Sequence, residues 1–140
     1  ATYINTEHAK PHCTSSQNFK SILNDMSSGV FNGRTVVQED SQKTNSRQSN
    51  KNLLLSDKAL MNSNPQLEIY ADDVKCAHGS TTGALDKEAL FYMQSRGINK
   101  EEASSLLIRG FASELINEVQ HEETKKYLFN KFDHWLRYYN

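Results

Sequence analysis

The sequence is short of cysteine. Only Cys13 and Cys76 occur among its 140 residues, which is too few, and too widely spaced, for a disulfide scaffold. A self-contained zinc or iron–sulfur site is disfavoured for the same reason, because such sites normally take about four protein ligands, often from CxxC pairs. Any metal held here would need further ligands from another chain or from small molecules. The same shortage favours a reducing compartment, and we expect a cytoplasmic protein.

Apolar runs and a surplus of one charge are also missing. Hydrophobic residues make up 36% of the chain, which indicates a piece of a larger body or a repeat surface with many polar turns. No stretch has the length or character of a membrane span or a signal peptide. The net charge is -1 with both signs interspersed, so we expect neither nucleic acid nor a membrane as a partner. The nucleotide-binding motif GxxxxGK[ST] is absent. The chain opens ATYINTEH without an initiator Met, which we interpret as a boundary within a longer protein or a processed end.

The first 83 residues consist of short extended runs separated by polar turns. Each run has the length of a strand and lacks a helical period: TYINTEHA, FKSILND, VFNGRTVV, NLLL, LEIYA and VKCAH. Asn24-Asp25, Ser28-Gly29 and Asn32-Gly33 are turn-forming pairs, and the last predicts a tight reversal. Because such short strands cannot cover one another as lone hairpins, we predict that they stack into a solenoid or a sandwich.

Residues 38–52, QEDSQKTNSRQSNKN, are almost wholly polar. Such a segment is typical of a mobile surface loop. The alternative is a solvated turn of a solenoid, in which the Asn, Ser and Thr side chains donate hydrogen bonds to neighbouring layers. The residues alone leave both interpretations open.

After residue 83 the pattern becomes helical, and we predict three helices over about 87–96, 100–119 and 122–139. Asp86 is a suitable N-cap for the first, and Gly97 is suited to the left-handed position that ends it. Asn99 caps the second helix. Gly110 lies midway along it, where glycine costs about 1 kcal/mol relative to alanine, so we expect a kink or a close helix contact there.

The second and third predicted helices each carry an apolar stripe that predicts packing into a small bundle. The stripe of the second consists of Ala103, Leu106, Leu107, Gly110, Phe111, Leu115 and Val119. The stripe of the third consists of Leu128, Phe132, Trp135, Leu136 and Tyr139.

Cys76 and His78 form the first candidate site. They are two positions apart, so on a strand both project to the same side. A thiolate beside an imidazole is a plausible pair of ligands for iron or copper and could also help to transfer sulfur. A structural cysteine beside an ordinary turn histidine is the alternative.

Asp72 and Asp73 suggest a second possibility, a carboxylate pair for acid/base or calcium chemistry as in polysaccharide lyases. Adjacent residues of a strand point to opposite faces, so we expect these two side chains to cap a turn instead.

Phe91, Tyr92 and Arg96 lie on the first predicted helix. Phe91 could fill the core of the bundle together with Leu90 and Met93. Tyr92 and Arg96 are one helical turn apart and could instead form an exposed aromatic and guanidinium pair, a combination enriched at protein interfaces.

The stretch LEIYADDVKCAHGSTTG at residues 67–83, followed by LFYMQSRGI, closely resembles the SufB/SufD family of iron–sulfur cluster assembly scaffolds. GVFNGRTVV and KTNSRQSNKNLLLSDKA are similar to that family as well. The residues around Cys76 and Gly79 follow the SufD side, since the SufB stretch is expected to read more like EHEATTS. The resemblance implies a C-terminal portion: the last rungs of a right-handed β-helix over residues 1–83, then a small helical domain over 84–140.

The resemblance also implies a function. The chain would pair with a SufB-like paralogue, or with itself in isolation, dock a SufC-like ATPase, and hold a transient iron–sulfur cluster at the seam without being an enzyme. His78 would be the metal ligand, with Cys76 as a weaker candidate for cluster binding, and Phe91, Tyr92, Arg96 and Gly97 would contribute to the ATPase surface. One alternative is an adaptor that binds and activates the ATPase but contributes no ligand. An enzyme acting on polysaccharide is a third possibility.

Overall fold

The computed structural model describes residues 1–139, without the side chain of Tyr139. Asn140 and the predicted apolar contact of Tyr139 therefore lie outside the described residues. The chain divides into two compact units, Ala1–Ala84 and the residues from Leu85 onward. The division predicted from the sequence lies one residue earlier, between 83 and 84. The two units are described separately below.

The first unit contains six strands in two parallel sheets. The strands are β1 Thr2–His8, β2 Thr14–Leu23, β3 Ser28–Val37, β4 Asn45–Leu54, β5 Leu60–Ile69 and β6 Lys75–Gly83. The odd strands form one sheet in the order β1-β3-β5, and the even strands form the other in the order β2-β4-β6. Successive strands therefore belong to alternate sheets.

The predicted right-handed β-helix is wrong for this chain. The strands form two separate three-stranded sheets, and neither sheet closes or curls into a coil of rungs. The sequence interpretation took each apolar run as a short strand with a polar turn beside it. Most of the strands are instead 9 or 10 residues long and include the polar residues beside the runs, so each sheet is an extended layer of its own.

The polar segment 38–52 shows most clearly how the strands extend beyond the apolar runs. Its second half, from Asn45, is strand β4, the centre of its sheet, so the loop interpretation is wrong there. Alternate residues of β4 are buried: Ser46, Gln48, Asn50 and Asn52. These side chains do hydrogen-bond to neighbouring layers, as the second interpretation expected, but they do so from the interior and not from a solvated turn. The unit thus has a polar interior.

Asn32-Gly33 is not a turn. Both residues lie inside β3, where Gly33 is buried and pairs with Ile4 on one side and with Pro65 on the other. Asn24-Asp25 does form a turn: Ser27 N donates to Asn24 O at 3.0 Å, and Asp25 adopts a positive φ of 53°.

Apolar side chains are also buried in this unit. Phe31 is almost fully buried, and the centroid of its ring lies 4.9 Å from that of Phe19 on the facing sheet. The other buried apolar residues of this unit are Leu23, Val36, Val37, Leu53, Ala59 and Ala71. Burial of these side chains is the main apolar stabilisation of the sheets.

The second unit contains three helices, α1 Lys87–Ser95, α2 Lys100–Ile116 and α3 Glu122–Tyr139. The predicted caps are confirmed. The Asp86 carboxylate accepts hydrogen bonds from Glu88 N and Ala89 N, and Asn99 Oδ1 accepts one from Glu102 N. Gly97, at a φ of 88°, completes a Schellman motif in which its own N–H bonds Gln94 O and that of Ile98 bonds Met93 O.

The apolar stripe predicted for α2 is only partly right. Ala103 is buried, but Leu106 is 46% exposed and Ile108, which the stripe omitted, is fully buried. A side chain added at Gly110 would meet no atom within 4 Å, so the predicted close helix contact is wrong. Within residues 1–139, no helix is both long enough and apolar enough to cross a membrane.

Candidate functional site at the edge strand β6

Cys76 and His78 lie on β6, the last strand of its sheet. Among the described residues, β6 pairs with β4 along one edge only, so its other edge is open. Strand alternation places both side chains on the same face, as the spacing predicted. The strand begins at Lys75, shortly after the bend that contains Asp72 and Asp73, and continues to Gly83.

The register of β6 shows which face this is. Cys76 pairs with Ser46 and His78 with Gln48, and both β4 residues are buried in the interior between the sheets. On the last strand, Cys76 and His78 therefore lie on the same face of the sheet as the buried Ser46 and Gln48. His78 is exposed and Cys76 is half-buried, because no further strand of the described chain covers this end.

His78 has no hydrogen bond or ion pair to any residue within 1–139. Its ring nitrogens are therefore available to an external group. A buried histidine would instead have its ring nitrogens paired within the chain. Within the described chain there is also no group of three or more His, Cys, Asp or Glu residues arranged to hold a metal ion. Cys76 and His78 offer at most two ligands, so a metal here needs others from outside.

A second histidine of this unit, His8, is buried between the sheets. His8 is 5% exposed; its Nε2 lies 2.8 Å from Ser15 Oγ, and Ser15 Oγ lies 2.9 Å from Ser46 Oγ. His8 is not among the candidate site residues predicted from the sequence. The alternation of Ser, Gln and Asn at positions 46–52 was the available signal for a polar interior that could take a histidine.

The carboxylates of Asp72 and Asp73 do not form a catalytic pair. Asp73 pairs with Lys43 through its side chain, and its backbone N–H donates to Gln42 Oε1 at 2.8 Å. Asp73 therefore links its loop to the segment at Gln42 and Lys43, through an ion pair and a backbone bond and not through the turn cap that was predicted. A shallow depression of about 410 Å³ lies on the β1-β3-β5 sheet, lined by Tyr3, Ile4, Asn5, Asn32, Gly33, Arg34, Asn64 and Gln66. None of these lining residues, all within the described chain, is a carboxylate, so the site that a polysaccharide-cleaving enzyme needs is missing there.

Helix α1 carries the predicted partner-binding residues. Phe91 is 74% exposed and Tyr92 is 59% exposed, so Phe91 does not fill a core in this chain. The Arg96 guanidinium carbon lies 5.3 Å from the centroid of the Tyr92 ring, in the range of a cation–π contact. Gly97 follows directly as the left-handed residue that ends the helix. No described residue of α1 is buried.

Two arginine–carboxylate pairs dominate the electrostatics of the described side chains. In the first unit Arg34 donates two hydrogen bonds to Glu68, which lower the pKa of that carboxyl. In the second unit Arg109 on α2 bonds Asp133 on α3 in the same way and lowers the pKa of Asp133. Both pairs link neighbouring elements within one unit, so their role is structural.

Comparison with known proteins gives the family. Residues 1–111 match a family model described as SUF system FeS cluster assembly, SufBD core domain. The chain belongs to the SufBD family. It is SufD-like within that family, because proteins named SufD match most of its length at 40–45% identity.

Three relatives show the extent of the similarity. The iron–sulfur cluster assembly protein SufD of Escherichia coli is 45% identical over 120 residues, covering 86% of this chain and 28% of that protein. The SufBD family protein slr0076 of Synechocystis is 42% identical over 109 residues, covering 78% of this chain and 24% of that protein. SufD of Bacillus subtilis is 40% identical over 107 residues, 76% of this chain and 24% of that protein. The chain thus spans about a quarter of the length of these relatives.

Proposed function

We propose that this SufD-like chain is part of a scaffold on which iron–sulfur clusters are assembled, and that His78 supplies one ligand to the nascent cluster. The observation that carries the proposal is the position of His78, an exposed imidazole without an internal partner on an open edge strand. Family membership supports the same role, because the matching model and the relatives are named for iron–sulfur cluster assembly.

The proposal requires a second subunit. One imidazole and one thiol cannot hold a cluster, and no larger group of ligands exists in the described chain. We propose that a SufB-like paralogue covers the open end at β5 and β6 and brings the remaining ligands, including a thiolate. Unpaired edge strands are suited to this, since their free N–H and C=O groups can pair with strands of another chain. In isolation the same end could pair with a second copy.

The role of the chain in this scheme is to present a ligand and not to catalyse a reaction. The neutral imidazole donates a lone pair to iron, a metal for which nitrogen ligands are well suited. Cys76 lies on the same face two residues away and is a candidate second ligand. The cluster is cargo that leaves for a recipient protein. The proposal includes a cytoplasmic location, which rests on the scarcity of cysteine and on the reducing conditions that cluster assembly needs.

A SufC-like ATPase is the second partner that we propose, with α1 as part of its docking surface. Two large aromatic side chains, Phe91 and Tyr92, are mostly exposed on a helix with no buried residue. Aromatic residues and arginine are enriched in interface cores, and Arg96 is already held against the Tyr92 ring. The Schellman motif at Gly97 fixes the end of this helix and with it the position of Arg96.

The exposed face of α1 also favours the second candidate function, an adaptor that docks the ATPase and contributes no cluster ligand. Under that function His78 would be dispensable while Phe91 and Tyr92 would remain necessary. The two functions therefore differ in which substitution matters.

The experiment compares His78→Asn with His12→Asn in the full-length protein, purified with its partner subunits. His12 is an exposed histidine in the same unit with a φ of 60°, a conformation that asparagine tolerates, so it is a matched control. We expect His78→Asn to reduce iron and acid-labile sulfide in the complex by several-fold, and His12→Asn to leave both unchanged. If His78→Asn retains both at parent levels while the ATPase still copurifies, the adaptor function replaces the ligand function.

A further inference from the structure

A chain of side-chain amides runs through the polar interior toward β6. Gln17 Nε2 donates to Thr6 Oγ1 at 2.6 Å, and Gln48 Nε2 donates to Gln17 Oε1 at 2.9 Å. Gln17 and Gln48 are register partners on β2 and β4, and the next residue of the same row is His78 on β6. The row therefore reads Gln17, Gln48, His78 from one edge of the sheet to the other.

The side-chain carbonyl oxygen of Gln48 is the unpaired acceptor at the end of this row of hydrogen bonds. Gln48 is 1% exposed, and its Oε1 has no hydrogen-bond partner among the described residues. A buried acceptor without a donor costs about 1–3 kcal/mol, so the group strongly favours any donor within reach. The Gln48 amide is also fixed in place, because a Cβ at Gly33 of the facing sheet would lie only 2.6 Å from this oxygen.

The direction of the Gln48 amide can be inferred from its one bond. Its nitrogen points to Gln17 on β2, and the nitrogen and oxygen of a carboxamide diverge from a single carbon. Oε1 is therefore directed away from the bond to Gln17 and lies against Gly33 of the facing sheet. Register partners on adjacent strands are about 4.8 Å apart, so their side chains on one face lie next to each other. His78 is the register partner of Gln48 on this face, and its ring carries an N–H that can act as a donor.

We propose that Gln48 is the positioning residue for His78: its buried carbonyl oxygen accepts one ring N–H, so that the other ring nitrogen faces out from the end of the sheet with its lone pair free. This inference rests on the proposed function of His78 and deepens it. Histidines that bind metals usually donate their second ring N–H to an oxygen, which fixes the tautomer and the ring orientation. Gly33 contributes by leaving the space that the Gln48 amide fills.

The test is the tautomer of His78 in the 140-residue chain, read from the ring nitrogens by NMR after histidine-specific ¹⁵N labelling. The signal is assigned by its absence in His78→Asn, at a pH of about 8.5, roughly two units above the ordinary pKa of histidine. We expect a single dominant tautomer in the parent. In Gln48→Met, which keeps the volume and removes the acceptor, we expect the tautomer ratio to move by roughly five-fold toward that of free imidazole.

The control is Asn52→Leu, which removes another buried amide from the same face of β4 but whose β6 register partner is Thr82. It should leave the tautomer of His78 as in the parent. Gly33→Ala is a second variant that keeps Gln48 but displaces its amide, and it should act like Gln48→Met.

A free-imidazole mixture of tautomers in the parent overturns the inference even if no variant folds. An unchanged ratio in Gln48→Met, or an equal shift in Asn52→Leu, overturns it as well. The measurement needs neither iron nor partner, so its outcome is independent of whether His78→Asn changes the cluster content of the complex.

Discussion

Gly33→Ala should strongly destabilise the β unit, although glycine to alanine is usually favourable in a strand. An added Cβ would lie 2.6 Å from Gln48 Oε1, 2.7 Å from its Nε2 and 2.8 Å from its Cδ. Ordinary contacts between such atoms are about 3.5 Å, so the Gln48 amide would have to retreat by roughly 1 Å.

The Gln48 amide cannot retreat freely. Gln48 is 1% exposed and its nitrogen is bonded to Gln17 at 2.9 Å, so the movement strains a packed interior and breaks a buried hydrogen bond. Overpacking costs about 1–3 kcal/mol and an unpaired buried group a similar amount. We expect a combined loss of roughly 3 kcal/mol, which lowers the Tm of a unit of this size by more than about 10 °C.

The assay is urea denaturation followed by far-UV circular dichroism, with the fluorescence of Trp135 recorded in parallel. Trp135 is the only tryptophan and lies on α3, so its fluorescence follows the helical unit. The matched control is Gly83→Ala, since a Cβ there meets no atom within 4 Å. A free energy of unfolding for Gly33→Ala within about 0.5 kcal/mol of that control would refute the packing of Gln48 against Gly33.

Three further predictions concern the stability of the two units. Gly110→Ala should stabilise the helical unit by about 1 kcal/mol in urea, because its Cβ would meet nothing within 4 Å; a loss of stability would mean that α2 is packed more tightly there than the structure has it. Asp133→Asn should lower the stability of this unit by less than about 1 kcal/mol at neutral pH, since the pair with Arg109 is partly exposed. Because that pair lowers the pKa of Asp133, the stability that it contributes is present above the ordinary pKa of about 3.9 and is lost as the pH falls through the lowered value. Asp133→Asn should not show this loss of stability in acid. Acid titrations of stability that superimpose for parent and variant would contradict the prediction. Ser15→Ala removes the partner of the buried His8 ring and should cost about 1–3 kcal/mol by thermal denaturation, whereas the exposed Ser16→Ala should stay within about 0.5 kcal/mol; equal effects of the two would count against the His8 bond.

The helical unit was predictable where local sequence decides the structure. Asp86, Gly97 and Asn99 act through bonds to residues two to four positions away, so the sequence contains all of the information that these caps need. The burial of Ile108 and the exposure of Leu106 depend on which face of α2 meets α3. The apolar pattern of α2 is nearly continuous from Leu106 to Ile108, and so it does not select that face.

The β unit was harder to predict because its interior is polar. Alternation of apolar and polar residues is the usual signal of a half-buried strand, and β4 reverses it, with Ser46, Gln48, Asn50 and Asn52 inside. The turn expected at Asn32-Gly33 rested on the local preference of an Asn-Gly pair, whereas this glycine makes room for an amide of the facing sheet. Such pairings between sheets are nonlocal, and a single sequence does not reveal them.

The candidate site was predictable in part. The spacing of Cys76 and His78 was enough to place both side chains on one face of a strand. That this strand is the open edge of a sheet, and that Gln48 lies beside His78, follow only from the order of the strands.

The most direct test of His78 as a ligand is pulsed EPR of the reduced cluster in the full-length scaffold complex, with this chain alone labelled with ¹⁵N-histidine. We expect a hyperfine coupling from one ¹⁵N nucleus, present in the parent and in His12→Asn and absent in His78→Asn. The same coupling in a cluster-loaded His78→Asn complex would contradict the account, because the ligand would then be a different histidine.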